Sequence, residues 1–331
     1  MLLFRQPSAI GTVFILLCGY LLGTQVLHAD GLLAEDKRFK LLRLSADNSA
    51  ELLAEQYLDD RFDAWQLSEL NGRASFRAGD VVAIPKTPLK PAAIYAGNAR
   101  AIPVLCYHQF TAGSQAKRRL EVAADNFERQ MRYLSEEGYQ VIPLKKMLSI
   151  LQGNSAIPPK TVVLTIDDGY RSVYTYAYPI LKKYGFSATL FVYTDFIGGA
   201  AALSWQQVKT MSDSGVIDVE SHTKTHSSLS FDAQQESIAE HKKRIAVEID
   251  TAARAIKKHV GHTPTILAYP YGDSSRYVVE YLATANYQLG ATVTRGANRV
   301  YADPFLLQRT MIYNKHTQED FKKFLLSSRP R

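Results

Sequence analysis

The stretch TVVLTIDDGY, residues 161–170, decides the fold prediction for this chain. Residues 161–166 are apolar or β-branched, which indicates a buried strand of a parallel sheet. The strand ends in two neighbouring carboxylates, Asp167 and Asp168, at the end where parallel-sheet and barrel enzymes keep their chemistry. Two ionised carboxylates this close require a cation or a shared proton between them. The alternative is a plain strand-to-helix turn with acidic residues near the next helix N-terminus.

A second stretch, GVIDVESHTKTHSSLS at 215–230, repeats this pattern of an apolar run followed by polar residues. His222 and His226 follow the run at a spacing of four, which turns both imidazoles toward one point. Two histidines and one carboxylate, with a position left for water, form the ligand set of a hydrolytic zinc-type centre. We therefore predict one metal site built from the two stretches.

The remainder of residues 100–331 alternates between strand and helix patterns. This alternation predicts a parallel sheet whose active rim lies at the carboxyl ends of the strands. The α/β pattern, with about seven or eight predicted strands, suits a distorted or incomplete (β/α) barrel. We expect a helix over 172–184 and a late strand near 306–313.

Three motifs resemble those of the polysaccharide deacetylases, carbohydrate esterases that share a nodulation-type deacetylase homology domain. TIDDGY is similar to their TFDDG motif, SHTKTH to their HSxxH motif, and AYPYG at 268–272 to their proline-tyrosine motif. The resemblance covers roughly residues 100–315 and implies the incomplete barrel. It also implies metal-dependent removal of N-acetyl groups from a polysaccharide.

The resemblance implies a role for each matching residue. Asp168, His222 and His226 would bind the divalent metal, which we expect to be zinc, with cobalt or nickel as alternatives. Asp167 would act as the general base toward water. The backbone N–H of Tyr271 would stabilise the oxyanion.

Two departures from the family pattern leave roles open. Ala268 stands where many members carry an arginine that orients the catalytic aspartate, and Arg309 or, less well, Arg295 could substitute for it. The general acid is either His108, in the motif IPVLCYHQF, or His316, in YNKHT. IPVLCYHQF resembles the opening motif of the deacetylases that act on biofilm polymers.

Residues 1–29 have the pattern of a targeting segment, with Arg5 before an apolar stretch at 10–22. We predict an exported protein of the periplasm or cell envelope. The alternative to cleavage is an uncleaved membrane anchor through residues 5–27.

Residues 38–86 resemble a LysM module, which binds glycans containing N-acetylglucosamine. The resemblance rests on the order strand, two helices, strand, on Asn71-Gly72 and on the final GDVVAIP. A small α+β packing domain without a ligand is the alternative. A linker at 87–99 and a catalytic domain at 100–331 are expected to follow.

Composition restricts the partners. The net charge of +7 is spread along the chain without a dense basic run or aromatic-basic interleaving, so no nucleic-acid partner is expected. Cys18 lies in the targeting segment and leaves Cys106 alone, so no intrachain disulfide stabilises the mature chain. We expect a monomer.

The leading functional hypothesis is an exported metal-dependent N-deacetylase of a polysaccharide that contains N-acetylglucosamine. The substrate could be an exopolysaccharide, a chitin-like polymer or peptidoglycan. Two alternatives remain: a catalytically inactive glycan-binding protein of the cell envelope, and an O-acetyl polysaccharide esterase.

Overall fold

The computed structural model describes residues 30–58, 61–86, 101–155 and 157–326. The chain divides into two compact units, Met1–Lys86 and Thr87–Arg331. The predicted targeting segment and linker lie outside the described residues. Within the described part, no helix combines the length and the apolar character that a membrane crossing requires.

The N-terminal unit is a small α+β fold. Its elements are β1 (Gly31–Glu35), β2 (Phe39–Arg43), β3 (Asn48–Ser49), α1 (Ala50–Leu58), α2 (Ala64–Asn71), β4 (Ser75–Phe76) and β5 (Val81–Pro85). Strands β1, β2 and β5 form an antiparallel sheet, and β3 pairs with β4. The prediction for this region did not include β1, whose five residues are all exposed and carry no alternating burial signal.

Asn71 connects the second helix of this unit to its last strand. The side-chain amide donates to the carbonyl oxygens of Leu67 and Ala83, and its oxygen accepts from the Ala83 N–H. Gly72 follows with φ 69°, the left-handed conformation that ends the helix. The Asn-Gly pair thus fixes how α2 meets β5.

The second unit contains the longer alternation of strands and helices. Its strands are β6 (Ile102–Tyr107), β7 (Gln109–Thr111), β8 (Glu121–Ala123), β9 (Gln140–Val141), β10 (Thr161–Asp168), β11 (Ala188–Val192), β12 (Ile217–Ser221), β13 (Ile266–Ala268), β14 (Leu289–Ala291), β15 (Ala297–Asn298) and β16 (Thr310–Met311). Its helices are α3 (Ala124–Glu136), α4 (Lys146–Leu151), α5 (Tyr178–Tyr184), α6 (Trp205–Asp213), α7 (Ile238–Val260), α8 (Arg276–Thr284) and α9 (Gln318–Leu326).

The main sheet of this unit has the order β14-β13-β12-β11-β10-β6-β15, and β16 also pairs with β6. Pairing from β6 to β14 is parallel throughout. A parallel bridge joins Ala291 of β14 to Leu307, three residues before β16 begins. The barrel therefore closes through an irregular segment rather than a regular strand.

The two faces of the sheet pack into separate cores. Leu164, Ile166 and Leu190 belong to the core that contacts the surrounding helices. Val163 and Phe191, their neighbours along the strands, belong to the other core. This alternation places Asp167, two residues from Thr165 and four from Val163, on the face that carries the second core.

The predicted α/β fold with a distorted or incomplete barrel is confirmed. Two elements differ from the sequence prediction. The helix expected over 172–184 begins with a π-helical turn, Val173–Ala177, because Pro179 has no N–H to complete the regular ladder. The strand expected near 306–313 is reduced to β16, since residues 304–309 form irregular bonds to the β14 segment.

Candidate metal centre and active site

The predicted site residues lie at the carboxyl ends of neighbouring parallel strands. Asp167 and Asp168 end β10, His222 directly follows β12, and His108 directly follows β6. Because β10 pairs in parallel with both β6 and β11, and β11 with β12, these ends share one rim. The fold therefore brings together residues that are separated by more than one hundred positions in the sequence.

A backbone irregularity allows both aspartates to face the same site. Asp168 has φ 80°, in the left-handed region that L-residues rarely adopt. This turn breaks the strict alternation of side chains that would otherwise direct neighbouring residues to opposite faces. Gly169 continues the turn at φ 94°, and a Cβ there would lie 2.6 Å from Cδ1 of Ile197.

Asp168, His222 and His226 converge on one point. Oδ1 of Asp168 lies 3.6 Å from Nε2 of His222 and 3.6 Å from Nε2 of His226. One ligand atom from each of the three residues lies within 4.8 Å of the others. A carboxylate oxygen and two imidazole nitrogens at this separation fit a tetrahedral divalent cation with a coordination position left open.

The hydrogen bond of His222 leaves its other ring nitrogen available. Nδ1 lies 2.7 Å from the carbonyl oxygen of Ala268, which can only accept, so Nδ1 carries the proton. The lone pair of Nε2 then faces Asp168. Burial lowers the pKa of His222 to about 3, so the ring is neutral, as a metal ligand must be.

The negative charge of Asp168 is only partly compensated, by Arg309. Burial and, after it, the negative charge of Asp167 raise the pKa of Asp168 to about 7. A bound cation favours the ionised form and removes this penalty. The electrostatics therefore agree with a metal ligand at this residue.

Asp167 is ionised and held by an arginine. Arg309 is fully buried and donates from Nη1 to Oδ1 at 2.7 Å and from Nη2 to Oδ2 at 2.8 Å. Its Nε donates to the carbonyl oxygen of Thr292 at 2.8 Å. Burial alone would raise the pKa of Asp167, but the Arg309 guanidinium holds it well below its usual range.

A cavity of about 650 Å³ opens onto these groups, a volume typical of ligand sites. Besides the two aspartates and the two histidines, its lining includes His108, Arg119, Tyr170, Tyr271, Val293 and Tyr313. The guanidinium of Arg119 lies 4.7 Å from the ring centroid of Tyr313. Aromatic faces and an arginine thus form one wall, while the metal-ligand residues form the floor.

His108 and Tyr271 both border the cavity. His108 is 7% exposed, and its Nδ1 is buried without a hydrogen-bond partner. Burial lowers the pKa of His108. Tyr271 has φ 60° and ψ 1°, and its ring lies edge-on to His226 with centroids 4.7 Å apart.

His316 and Arg295 lie away from these groups. Nδ1 of His316 accepts a hydrogen bond from the Tyr313 N–H, and its ring packs edge-on against Phe324. The guanidinium of Arg295 lies over the same Phe324 ring, 5.0 Å from its centroid. Neither residue is part of the cavity lining, whereas Arg309 contacts Asp167 directly.

Two further groups of potential metal ligands occur among the described residues. Cys106 and His108 approach Asp167, but Asp167 is already paired with Arg309. The third group consists of Asp218, Glu220 and His262. There Lys145 pairs with Asp218, Glu220 accepts two backbone N–H groups, and His262 bonds the Val219 carbonyl. Each residue of the third group thus has an internal partner without a metal.

Sequence reasoning missed several residues around the site. Cys106 donates through Sγ to Oδ2 of Asp167 at 3.4 Å, and Arg119 and Tyr313 line the cavity. Glu248 of α7 contacts the loop between the two histidines. The sequence pattern does single out Glu248, because this residue occupies the buried stripe of an amphipathic helix, where a carboxylate is unusual.

A family model described as "Polysaccharide deacetylase" matches residues 154–290 of this chain. This range includes the Asp-Asp strand end, both histidines and the proline-tyrosine turn. The resemblance to this family is therefore confirmed. The LysM resemblance of the N-terminal unit stays a prediction.

Known proteins show the same relationship. YxkH of Bacillus subtilis, named as a polysaccharide deacetylase, is 33% identical over 199 residues, which cover 59% of this chain and 66% of that one. The poly-beta-1,6-N-acetyl-D-glucosamine N-deacetylase of Escherichia coli K12 is 23% identical over 67% of this chain and 38% of its own length. The chain thus spans less than two thirds of both relatives. The structure of the Streptococcus pyogenes deacetylase PplD in complex with acetate is 29% identical, with a TM-score of 0.61, over 68% of this chain and 98% of that one.

Proposed function

We propose that this chain, whose residues 154–290 match the polysaccharide deacetylase family model, is a metal-dependent N-deacetylase. Its substrate is a polysaccharide that contains N-acetylglucosamine. The reaction hydrolyses the amide bond of the acetamido group and yields acetate and a free amine on the sugar.

One observation carries the proposal. Asp168, His222 and His226 form a convergent ligand set at the floor of a cavity of about 650 Å³, and Asp167 adjoins it. Oδ2 of Asp167 lies 3.9 Å from Nε2 of His222. This is the arrangement that metal-assisted hydrolysis needs: three protein ligands, an open position, and a separate carboxylate beside it.

A divalent cation, which we propose is zinc, would supply Lewis acidity toward both water and the acetyl carbonyl. Asp167 accepts the proton of the attacking water, since its carboxylate is ionised and is not needed as a ligand. Arg309 fixes that carboxylate through two parallel hydrogen bonds, so its orientation does not depend on the substrate. Arg309 thereby takes the place of the arginine that the family usually carries at position 268.

Tyr271 and His108 complete the proposed roles. The turn at Tyr271 brings its backbone beside His226, where its N–H is proposed to bind the developing oxyanion. His108 protonates the leaving amine, because its ring borders the cavity while His316 is engaged by the Tyr313 N–H and Phe324. Nδ1 of His108 is buried without a hydrogen-bond partner in the described structure, so it can gain a partner from substrate or water.

The names of the relatives favour a β-1,6-linked N-acetylglucosamine polymer as the substrate. The cavity wall formed by Arg119 and Tyr313 offers an aromatic edge and hydrogen-bond donors for sugar hydroxyl groups. We propose that the chain works outside the cytoplasm, in the periplasm or cell envelope, where such polymers are modified.

We also propose that the N-terminal unit binds glycan. This unit has a groove of about 810 Å³ beside β3, β4 and the start of α1. Exposed Leu52 lines the groove together with polar side chains, which include Asn48 and Arg73. A groove that combines an apolar contact with hydrogen-bonding groups suits a sugar ring.

The test is acetate release from a panel of purified acetylated glycans, with the chain first stripped of metal and then supplied with zinc or cobalt. We expect release from N-acetylglucosamine polymers only after metal is restored. Release from O-acetylated sugars alone would support an esterase instead. Binding of the polymer without any acetate, with metal fully loaded, would support an inactive glycan-binding protein.

A further inference from the structure

The loop that carries the two proposed histidine ligands has an unfavourable backbone. Thr223 has φ 71° and His226 has φ 63°, and neither residue is glycine. A β-branched residue in this region is a particular outlier. Such conformations persist only where the surrounding structure enforces them. Contacts from the surrounding structure must therefore hold this loop while it directs His226 toward Asp168.

One side of the loop is held by backbone pairing. The N–H groups of Thr194 and Asp195, which follow β11, donate to the carbonyl oxygens of Thr223 and Lys224 at 3.1 and 3.0 Å. These bonds fix the carbonyl side of the loop but leave its N–H groups without strand partners. Those of Thr223 and His226 bond the hydroxyl oxygens of Ser221 and Thr223. The partly buried N–H groups of Lys224 and Thr225 are bound by a second element.

Glu248 provides that second contact. Its Oε2 accepts the backbone N–H groups of Lys224 and Thr225 at 3.0 and 2.8 Å. Its Oε1 accepts the Thr225 hydroxyl at 2.7 Å and the Ser227 hydroxyl at 3.4 Å. One carboxylate thus binds the loop through four hydrogen bonds, three to residues between the two histidines and one to Ser227 just after His226.

The carboxylate is anchored on a rigid and buried base. Glu248 is 4% exposed and lies on the buried stripe of α7, between Ile245 and Ile249. Among the described residues, no lysine or arginine forms a salt bridge with it. A carboxylate buried without a direct ion pair is costly unless strong hydrogen bonds compensate it. Here the hydrogen bonds all come from the ligand loop, and Arg244 and Lys224 lie near enough to interact with the charge.

We propose that Glu248 is a positioning residue for the metal site. It holds the Lys224–Thr225 turn so that the imidazole of His226 faces Asp168, and it therefore sets the affinity for the metal without binding it. This inference rests on the proposed function, because it takes Asp168, His222 and His226 as the ligands. Groups that orient a ligand typically contribute about 10- to 100-fold to metal affinity.

The test measures metal affinity in the full chain by competition between Zn²⁺ and a chromophoric chelator. E248A should weaken binding about 10- to 100-fold. E248D keeps the charge but is one methylene too short to reach the loop, so it should weaken binding similarly. E248Q can still accept the two N–H groups and donate to the hydroxyls, so it should bind close to wild type. This order of affinities distinguishes hydrogen bonding from charge. If E248A does not fold, the comparison of E248D with E248Q provides the test.

Asp250→Asn is the matched control, since Asp250 lies on the same helix and bonds the Tyr281 hydroxyl rather than the loop. It should leave the affinity unchanged. Wild-type affinity in E248D would overturn the proposal. An equal loss of affinity in D250N, in proportion to the fall in its thermal unfolding midpoint, would also overturn it, because the loss would then reflect stability alone. Failure of the proposed metal site would give a different result. The wild type would then bind Zn²⁺ weakly, or H226A would bind Zn²⁺ with the same affinity as the wild type.

Discussion

Asp167 and Asp168 are neighbours in sequence but have opposite electrostatic surroundings. Arg309 holds the pKa of Asp167 low, whereas burial and Asp167 itself raise the pKa of Asp168 to about 7. Such a separation is how one site assigns different tasks to similar groups. Asp167 is ionised without a metal, whereas a nearby cation would favour the charged form of Asp168.

Asp167→Asn should abolish most turnover while the metal is retained. The amide cannot accept a proton, so kcat should fall at least about 100-fold, the lower range for general base catalysis. Steady-state acetate release and metal content by mass spectrometry measure the two effects. Asp213→Asn, at an exposed position on α6, is the control for the substitution itself. Loss of metal together with activity would assign Asp167 to the ligands instead.

Arg309→Met should destabilise the fold because it leaves the Asp167 carboxylate buried and unpaired. The free energy of unfolding should fall by about 3–5 kcal/mol, as measured by urea titration. Adding Asp167→Asn to this variant should recover part of the loss, since the uncompensated charge is then removed. Equal stability of the single and double variants would show that the unpaired Asp167 charge does not destabilise the fold.

At the scale of elements, strand ends and their turns create the site. The turn after β13 is the clearest case. Tyr271 adopts φ 60° and Gly272 adopts φ 81°, and Gly272 packs directly against Val293. A Cβ at this glycine would lie 2.9 Å from the backbone nitrogen of Val293. Close packing thus fixes where the Tyr271 backbone meets the cavity.

Gly272→Ala should displace this turn and lower kcat without loss of metal. A shift of about 1 Å in a positioned group can cost about 100-fold in rate. Gly185→Ala is the matched control, because Gly185 also has a positive φ (65°) but its Cβ would meet open space. Both variants share the backbone strain, and only Gly272→Ala adds the steric conflict. Equal kcat in the two variants would contradict the proposed role of the Tyr271 turn.

The elements differ in how readily the sequence predicts them. The alternation of β10, β11 and β12 with helices was predictable, since buried strands and amphipathic helices have distinct periods. Asp168, His222 and His226 could be grouped because they lie at or shortly after strand ends. The structure places one potential ligand atom of each within 4.8 Å of the others.

Other features depend on tertiary contacts that no local pattern encodes. Arg309 reaches Asp167 only because the irregular segment before β16 closes the barrel. Glu248 reaches the histidine loop from a helix more than twenty positions away along the chain. The sequence likewise could not show that His108 borders the cavity and that His316 does not. Sequence spacing cannot specify such contacts, whereas an unusual residue on a buried helix face can indicate them.

At the scale of the whole molecule, two compact units carry two proposed tasks. Thr87–Arg331 contains the candidate hydrolytic centre, and Met1–Lys86 contains the groove proposed to bind glycan. Each unit has its own buried core. The two proposed sites would act on the same polymer. Binding of the polymer at one site would raise its local concentration at the other.

Leu52→Asp should separate these tasks. Leu52 is 57% exposed in the groove of the N-terminal unit, so a charge there should disrupt sugar contact without unfolding the core. Retention on an insoluble N-acetylglucosamine polymer should fall about tenfold, which corresponds to about 1.4 kcal/mol. Turnover of a short soluble oligomer should stay unchanged. Undiminished polymer retention would favour a packing domain without a ligand.

The most direct test of the whole account is X-ray absorption spectroscopy at the zinc edge on the full chain loaded with one equivalent of zinc. We predict two imidazole nitrogens at about 2.0–2.1 Å and oxygen ligands, one of them from Asp168. In His222→Ala the imidazole contribution should drop to one. An unchanged spectrum in that variant, or coordination by sulfur from Cys106, would contradict the proposed centre and the hydrolytic function built on it.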